Sequence, residues 1–575
     1  METELFRIFL STLQWKGRDT TTLRVAGGWV RDKLLGKSSN DIDIAIDDQT
    51  GVEFATTLNE YLQSLGIESH RLAVIMANPE QSKHIETATV KVLGVPIDFV
   101  NLRSETYSEE SRIPGITFGT ATEDALRRDF TINSLFYNIN TRQVEDLTRH
   151  GLSDLVGGVV RTPLNPLITF KDDPLRILRA VRFSARFAFS MDDTLVQAAR
   201  TADVQSAFLS KVSRERVLKE LDGMLLHPIA RPALALLYIH YLGIYSAVFK
   251  MPTGYELSTA LRVVSHEPAI TTSLSIAGAR YHTSSEQLEH WIPNSLACIV
   301  WFNLLRCLRA TGWEIFHTKT ISTRVISVEE QAACISSDNQ TRSLYFAAAI
   351  SGLQGLNVID HKGREVPLST ALLRDSLKMD TDTLRAVQAV LDCMIGFQHL
   401  ALTPATFART TGGLLLRQVR ELWREALWLA CAEELATQNG AGQTASALPA
   451  REVHHAQGLH AACCVFQTVV IGVPTTPGNT TRDETLVYDT IHRYSQLEQR
   501  LLALGLDRVW ELRPLLDGHQ LMQVLGPALK KGPMIGKVMD AQIRWQLSQD
   551  DAGRQGDAAI EALASYLREF CASLQ

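Results

Sequence analysis

Residues 23–32, LRVAGGWVRD, followed nine residues later by Asp41-Ile42-Asp43-Ile44-Ala45-Ile46, decide how the N-terminal part of this chain folds. Thr22–Ala26 reads as a short apolar strand, and a helix follows over about 29–35. Gly27 and Gly28 stand between them, where glycine lets the backbone approach a ligand closely and the first amides of a helix can receive phosphate oxygens. Arg31 lies one turn further and can add a positive charge. In the strand Asp41–Ile46 successive side chains alternate between faces. Asp41 and Asp43 therefore share one face, while Ile42, Ile44 and Ile46 fill a core on the other. Adjacent carboxylates repel unless cations lie between them. Magnesium suits such a pair, because it takes few carboxylates together with substrate phosphates.

Working outward, further strands are expected at His70–Met76, Glu86–Leu93 and Pro96–Leu102, each bounded by Gly, Pro or polar residues, with a helix at about 52–65. A mixed sheet with helices on one side is the economical arrangement. Asp98 sits between Ile97 and Phe99 in an apolar run and is costly there without a metal or a basic partner. Two carboxylates from one strand and one from another suit two-metal phosphoryl transfer.

Two later segments carry clustered charge. In Asp124-Ala-Leu-Arg127-Arg128-Asp129-Phe-Thr-Ile-Asn133, paired arginines stand before a helix on which Asp129 and Asn133 would share a face. In Asp172-Asp173-Pro174-Leu175-Arg176-Ile-Leu-Arg179-Ala-Val-Arg182-Phe183, Pro174 suits a first helical turn with Asp172 or Asp173 as cap. Arg176, Arg179 and Arg182 then form a basic stripe with no acid after Asp173, which points to phosphate or a nucleobase.

After Asp146 the periodicity is almost wholly helical, with breaks at Gly157-Gly158, Pro163–Pro166, Met251–Gly254 and a linker over Gln438–Pro449. The 575 residues suffice for several cores, and 45% hydrophobic with 21% charged residues is a globular balance. With 57 Lys+Arg against 63 Asp+Glu the net charge is −6, so any phosphate-binding surface must be a local patch. No apolar run is long enough to span a membrane. The N-terminus, with Glu2 and Glu4, is wrong for a transit peptide and reads as an amphipathic helix through Leu5, Ile8, Phe9 and Leu13. The eight cysteines form no CxxC pair, and the His454, His455, His460, Cys463, Cys464 group matches no standard zinc spacing.

Taken together, GGWVRD…DID, IDFVNLR, DALRRDFTINSLFYN, DDPLRILRAVRFSARF and SRERVLKELDGML resemble the ordered motifs of class II tRNA nucleotidyltransferases, the CCA-adding enzymes, in wording nearest their eukaryotic branch. The likeness is dense over about 22–226, looser to 400, and returns in Leu516–Leu547. It implies an α+β nucleotidyltransferase head with a mixed sheet, then an elongated all-α neck, body and tail. The expected bounds are head 1–146, neck 147–235, body 236–400 and tail 401–575. It implies metals (two Mg2+) on Asp41 and Asp43 with Asp98 in the catalytic set, and Gly27, Gly28 and Arg31 at the triphosphate. Arg128 and Asn133 would contact the incoming nucleotide. Asp173 and Arg176 would read the base, with Arg179 and Arg182 beside them, and Glu215, Arg216 and Glu220 would brace the neck. Asp172 departs from the Glu usual at that position. In the tail, Lys530, Lys531 and Lys537 around Gly532-Pro533 and Gly536 would hold the tRNA backbone.

The base-reading pair makes chemical sense. Cytosine and adenine each present an exocyclic amine donor beside a ring-nitrogen acceptor, which a carboxylate plus a guanidinium satisfies. Guanine and uracil present the reverse polarity and would leave buried groups unpaired. No His-Asp dipeptide occurs, so the phosphohydrolase domain of some bacterial relatives is not expected. A polar loop, Arg103-Ser-Glu-Thr-Tyr-Ser-Glu-Glu-Ser-Arg-Ile-Pro114, stands where the family keeps a loop associated with adding the terminal A. The expected activity is CCA addition to tRNA from CTP and ATP, in the cytoplasm, with nucleus and mitochondria as further settings. The alternatives are a poly(A) polymerase, an A-adding or CC-adding enzyme of the same family, or a tRNA-binding quality-control protein that has lost catalysis.

Overall fold

The structure, a computed structural model, describes residues 1–39, 41–67, 73–75, 87–108, 111–227, 230–257, 284–311, 339–438, 482–526, 533–549 and 556–573. They fall into two compact units, the first comprising 1–224 and 230–250 and the second mainly the residues from 251 onward.

The first unit opens with helix α1 (Glu2–Lys16), strand β1 (Leu23–Ala26), helix α2 (Gly28–Leu34), strand β2 (Ile42–Ile46) and helix α3 (Gly51–Ser64). Strands β3 (Ala73–Ile75), β4 (Thr87–Val92) and β5 (Val95–Asn101) follow, close to the spans expected. Strands β6 (Arg103–Ser108) and β7 (Ser111–Phe118) pair as a hairpin. Helix α4 (Ala121–Leu126) and strands β8 (Phe136–Asn138) and β9 (Gln143–Glu145) complete this region. The main sheet is seven-stranded in the order β3-β4-β5-β2-β1-β8-β9. Only the β2–β5 pairing is parallel, so the sheet is mixed.

Register and alternation assign the two faces. Ile44 is paired with Phe99, and both are fully buried. On that face Phe99 meets Phe9 of α1 and Phe54 of α3, with ring centroids 5.4 and 5.0 Å away. Truncating a ring in such a cluster costs about 3–5 kcal/mol. A capping box, Thr50 with Glu53, starts α3, and Gly51 is required there because a Cβ would lie 2.0 Å from the Phe99 carbonyl oxygen. The opposite face carries Asp43 and Asp98, then Ala45, which joins Ala26, Leu102, Ala125 and Phe136 in a second cluster under α4. One end of that face is thus covered, and the end bearing Asp41 and Asp43 is half-buried to exposed.

The sequence reading missed β8 and β9 and the β6–β7 hairpin, which it took for a loop. The helix expected around Asp129–Asn133 is a single 3-10 turn, Thr131–Asn133, before the chain enters β8.

Next come helix α5 (Gly151–Gly157), strand β10 (Val159–Val160), helices α6 (Pro166–Asp172) and α7 (Arg176–Phe187), and strand β11 (Ser190–Met191), which pairs with β10. Helices α8 (Asp193–Ala199), α9 (Ala202–Lys211), α10 (Arg214–Leu225), α11 (Pro232–Tyr241) and α12 (Tyr245–Val248) finish the unit. Asp172 closes α6 rather than capping α7. Asp173 does not cap α7 either, whose N-cap is Leu175; it holds the turn before that helix, its carboxylate accepting from the Leu175 amide and its carbonyl from the Arg176 amide.

The second unit is dominated by helices, among them Ser284–Thr311, Thr381–Leu402, Trp423–Gln438, Arg482–Ala503, Pro533–Ser548 and Gly556–Ser573. A three-stranded sheet of Glu256–Leu257, Asn357–Ile359 and Glu365–Pro367 interrupts the helical pattern. Near the C-terminus Leu516, Leu521, Leu525, Val538, Leu563 and Leu567 form their own core. Cys298, Cys393, Cys431 and Cys571 are free and buried. No helix among the described residues is long and apolar enough to cross a membrane.

Candidate active site

The parallel pairing of β2 with β5 sets Asp43 directly beside Asp98. Neighbouring strands lie about 4.8 Å apart, so the two carboxylates face the same space. Asp41, two residues before Asp43, lies on the same face at the mouth of the strand. Thr89, opposite Asp98 on β4, donates its hydroxyl to one Asp98 oxygen at 2.6 Å. Among the described residues Asp98 makes no ion pair, so the basic-partner explanation of this residue finds no support. Burial, and then the charges of Asp41 and Asp98, push the Asp43 carboxyl up to about 6, with Arg128 opposing.

These carboxylates repel one another, and a cation held between them would relieve the repulsion. Among the described residues no three His, Cys, Asp or Glu side chains are gathered closely enough to hold a metal by themselves. An open set of carboxylates that leaves coordination positions for phosphate oxygens fits magnesium and not a closed protein cage.

Gly27 has φ 64° and ψ −111°, and a Cβ there would lie 2.8 Å from Arg128 Nη1 and 3.0 Å from the Asn133 carbonyl. Both the dihedral and the space demand glycine. The Gly27 amide is already donated to the Leu135 carbonyl at 2.9 Å, so it is not available to a phosphate. Gly28 opens α2, where the first amides have no acceptor within the helix.

The structure gives Arg31 a different setting from the triphosphate contact expected of it. It is only 5% exposed, donates to Asp32 at 2.8 Å and to the Asn133 side-chain oxygen, and stacks on Phe183 and Phe187. The cause is the packing of α2 against the aromatic residues of α7. Asn133 in turn donates to Asp129 at 3.1 Å, which fulfils the proximity read from their spacing although the helix is absent.

Asp129 is a hub that the sequence reading did not assign. It receives Arg179 Nε and Nη2 at 2.8 and 2.7 Å. Burial raises its carboxyl, but Arg179 and Asn133 more than offset this and hold it below the ordinary value. Arg182 is paired with Glu220 of α10 at 2.8 Å, and Arg179 lies 3.8 Å from the same carboxylate. The basic stripe on α7 therefore has acids, but they come from other elements. Glu220 braces α10 against α7, whereas Glu215 is exposed.

Arg216 grips both oxygens of Asp173, at 3.2 and 2.7 Å. Arg176 donates one N–H to the Arg127 carbonyl at 2.7 Å, and four of its five donors remain for other partners. Arg127 and Arg128 converge on Asp124, and Arg127 also reaches Glu105. Burial pushes Asp124 up, but the two arginines outweigh it and hold the carboxyl below its usual range. Of the tail lysines, Lys537 is exposed on Pro533–Ser548, while Lys530 and Lys531 lie outside the described residues, as does the His454–Cys464 group.

A family model described as the poly A polymerase head domain matches residues 23–161. The mitochondrial CCA tRNA nucleotidyltransferase of Saccharomyces cerevisiae is 32% identical over 91% of this chain and 85% of its own length. The tRNA nucleotidyltransferase cca2 of Schizosaccharomyces pombe is 30% identical over 95% of this chain and 92% of its own. The solved CCA-adding enzyme of Bacillus stearothermophilus in complex with CTP shares the fold, with a TM-score of 0.51 at 17% identity over 98% of this chain and 96% of that one.

Proposed function

Since the chain belongs to the CCA tRNA nucleotidyltransferase family, built on the poly A polymerase head, we infer that it adds and repairs the 3′-terminal CCA of tRNA. It uses CTP and ATP and no nucleic-acid template. The observation that carries this reading is the Asp41, Asp43 and Asp98 trio, aligned by the β2–β5 register beside the Gly27-Gly28 turn.

In this reading the 3′-hydroxyl oxygen of the RNA forms a bond to the α-phosphorus, the bond to the β-phosphate breaks, and pyrophosphate leaves. Asp41 and Asp43 would hold two magnesium ions. Bound there, magnesium would neutralise the triphosphate and make the attacking hydroxyl easier to deprotonate. Asp98, its orientation fixed by Thr89, accepts the hydroxyl proton. The Gly28 end of α2 receives phosphate oxygens, and Arg128, its charge already matched by Asp124, keeps N–H donors that would turn toward them.

Base choice belongs to Asp173 and Arg176. A carboxylate offers about four lone-pair sites, and Arg216 with the Leu175 amide occupies three, so Asp173 keeps capacity for an exocyclic amine. Arg176 supplies the donor for N3 of cytosine or N1 of adenine. The Arg127 carbonyl holds one N–H of Arg176, and Arg216 holds the Asp173 carboxylate, which restricts both reading groups. Exposed Lys537, with Lys530 and Lys531, would hold the tRNA backbone. Mitochondria, the compartment in the name of the Saccharomyces relative, are one setting, with cytoplasm and nucleus as the others.

The test is extension of three tRNA transcripts that lack CCA, end in the first C, or end in CC, with the products sequenced. Completion of CCA on all three is expected. A homopolymeric A tail, or extension of only one transcript, would replace this reading with another member of the family.

A further inference from the structure

Lys37, Arg186 and Arg231 are three of the first unit's cations that make no ion pair among the described residues. The C-terminus of α2 is a Schellman turn: Gly36 has φ 70° and donates to the Lys33 carbonyl, and Lys37 donates to the Asp32 carbonyl at 2.8 Å. That turn fixes the backbone of Lys37 and sets its ammonium 4.7 Å from the centroid of Phe187, at the end of α7. Arg186 lies over the same ring at 5.1 Å, and Arg31 at 4.9 Å. Arg231, just before α11, donates to the Ala185 carbonyl at 3.2 Å and is near enough to repel Lys37.

Among the described residues none of Lys37, Arg186 and Arg231 makes an ion pair. The acid that attracts Lys37 and Arg186, Asp32, also faces Arg31, two of whose nitrogens meet one of its oxygens at 2.8 Å. The Arg186 Nε is buried without a hydrogen-bond acceptor. Burial pushes all three groups below their ordinary values, and for Lys37 and Arg186 neighbouring arginines add to it. Aromatic stacking and the C-terminal ends of two helices ease the crowding in part. One carboxylate shared with Arg31 offsets only part of the mutual repulsion of these cations. A bound anion would offset the rest.

We propose that Lys37, Arg186 and Arg231 form a phosphate site for the RNA strand, holding a backbone phosphate a few nucleotides before the 3′ end; this rests on the tRNA-extending reading above. Position excludes the triphosphate of the incoming nucleotide. Lys37 lies past the far end of α2, about 10 Å along the helix from Gly28, and Arg186 is about 15 Å along α7 from Arg176. The nucleotide's phosphates and base occupy the near ends of those two helices. The far ends meet at Phe187 and are free to take the strand that leads to the reacting hydroxyl.

The experiment uses the full chain and two RNAs, a tRNA lacking CCA and its acceptor-stem minihelix, with binding measured across a KCl series and the KM for CTP measured on each. Lys37→Gln with Arg186→Gln should weaken binding of both RNAs by about tenfold and lower the salt slope by about 1.5. The KM for CTP should not change, and Lys37→Arg with Arg186→Lys should restore binding. Arg186 also packs on Phe187, so Lys37→Gln alone, at an exposed position, is the control that cannot disturb the core; it should lower the slope by about 0.8. An unchanged slope in that single variant overturns the site. A raised KM for CTP with unchanged RNA binding would assign the cluster to the nucleotide instead and also overturns it. Failure of the wild-type chain to extend either RNA would refute the functional reading itself, whatever the variants bind.

Discussion

Replacing Arg216 by Gln tests whether base choice depends on how Asp173 is held. The two hydrogen bonds of the Arg216–Asp173 fork, 3.2 and 2.7 Å long, join side chains that are 29% and 20% exposed. A bidentate charged pair is worth about 1.5–3 kcal/mol when well desolvated. Solvent screening at this exposure reduces it to about 1–1.4 kcal/mol. Expressed as lost preference for the reading orientation, that is about a five- to tenfold fall in the CTP-over-UTP ratio. The effect is partial because the Leu175 amide still anchors one oxygen at 3.2 Å. Asp173→Ala, which removes the reading group, should lose at least about a hundredfold. The assay is kcat/KM for CTP and UTP in competition on a tRNA lacking CCA, with Tm and RNA affinity measured in parallel. Arg216→Lys should fall between wild type and Gln, since it keeps the charge and loses the fork. An unchanged CTP-over-UTP ratio in Arg216→Gln, with a lowered Tm, would make Arg216 a structural brace of α10 and refute its part in selection.

Other outcomes follow from the same geometry. Asp41→Ala or Asp43→Ala should abolish addition and leave tRNA binding nearly intact; activity within about tenfold of wild type in magnesium would remove both from the metal set. Arg176→Ala should admit UTP or GTP while cation-dependent chemistry persists, and retained selectivity would place base choice elsewhere. Asp124→Asn leaves Arg128 without its carboxylate and Arg127 with Glu105 alone, and should cost about 3 kcal/mol at neutral pH, read by urea unfolding. Because the folded Asp124 carboxyl lies below its unfolded value, its contribution is present above the unfolded pKa and lost as pH falls through the folded one. The variant should therefore unfold with a flatter acid dependence, and an unchanged profile would contradict the pairing. Replacing Lys530, Lys531 and Lys537 by Ala should weaken tRNA binding and flatten its salt slope by up to about three units, with much less change on a minihelix. Equal losses on both RNAs would refute a clamp on the part of the tRNA that the minihelix lacks.

What was legible in the sequence was whatever repeats within one element. Alternation in Asp41–Ile46 gave the carboxylate face, and the bounds of β1 to β5 followed from apolar runs between breakers. The Asp43–Asp98 pairing needed the strand register, which one sequence does not contain, although the cost of a carboxylate between Ile97 and Phe99 pointed to it. Thr89 was invisible for the same reason, being a partner across β4 and β5. The β6–β7 hairpin was missed because a polar two-stranded ribbon shows no core face. The 3-10 turn Thr131–Asn133 misled in the other direction: it joins Asp129 to Asn133 as a helix would, then releases the chain into β8.

The arginines show how far a one-helix reading can be trusted. No acid follows Asp173 on the helix of Arg176, Arg179 and Arg182, and within that helix alone the absence points to a ligand. The fold answers two of them with carboxylates distant in sequence, Asp129 from the segment before β8 and Glu220 from α10. Arg31 is answered by Asp32 and Asn133. A positive charge implies a phosphate only after tertiary partners have been counted. By that stricter count Arg179, Arg182 and Arg31 lose their claim as free cations and become the frame that joins α2, the Asp129 hub, α7 and α10. The claim passes to Lys37, Arg186 and Arg231, which no sequence spacing singles out. They come together only because a Schellman turn and the end of α7 meet at Phe187.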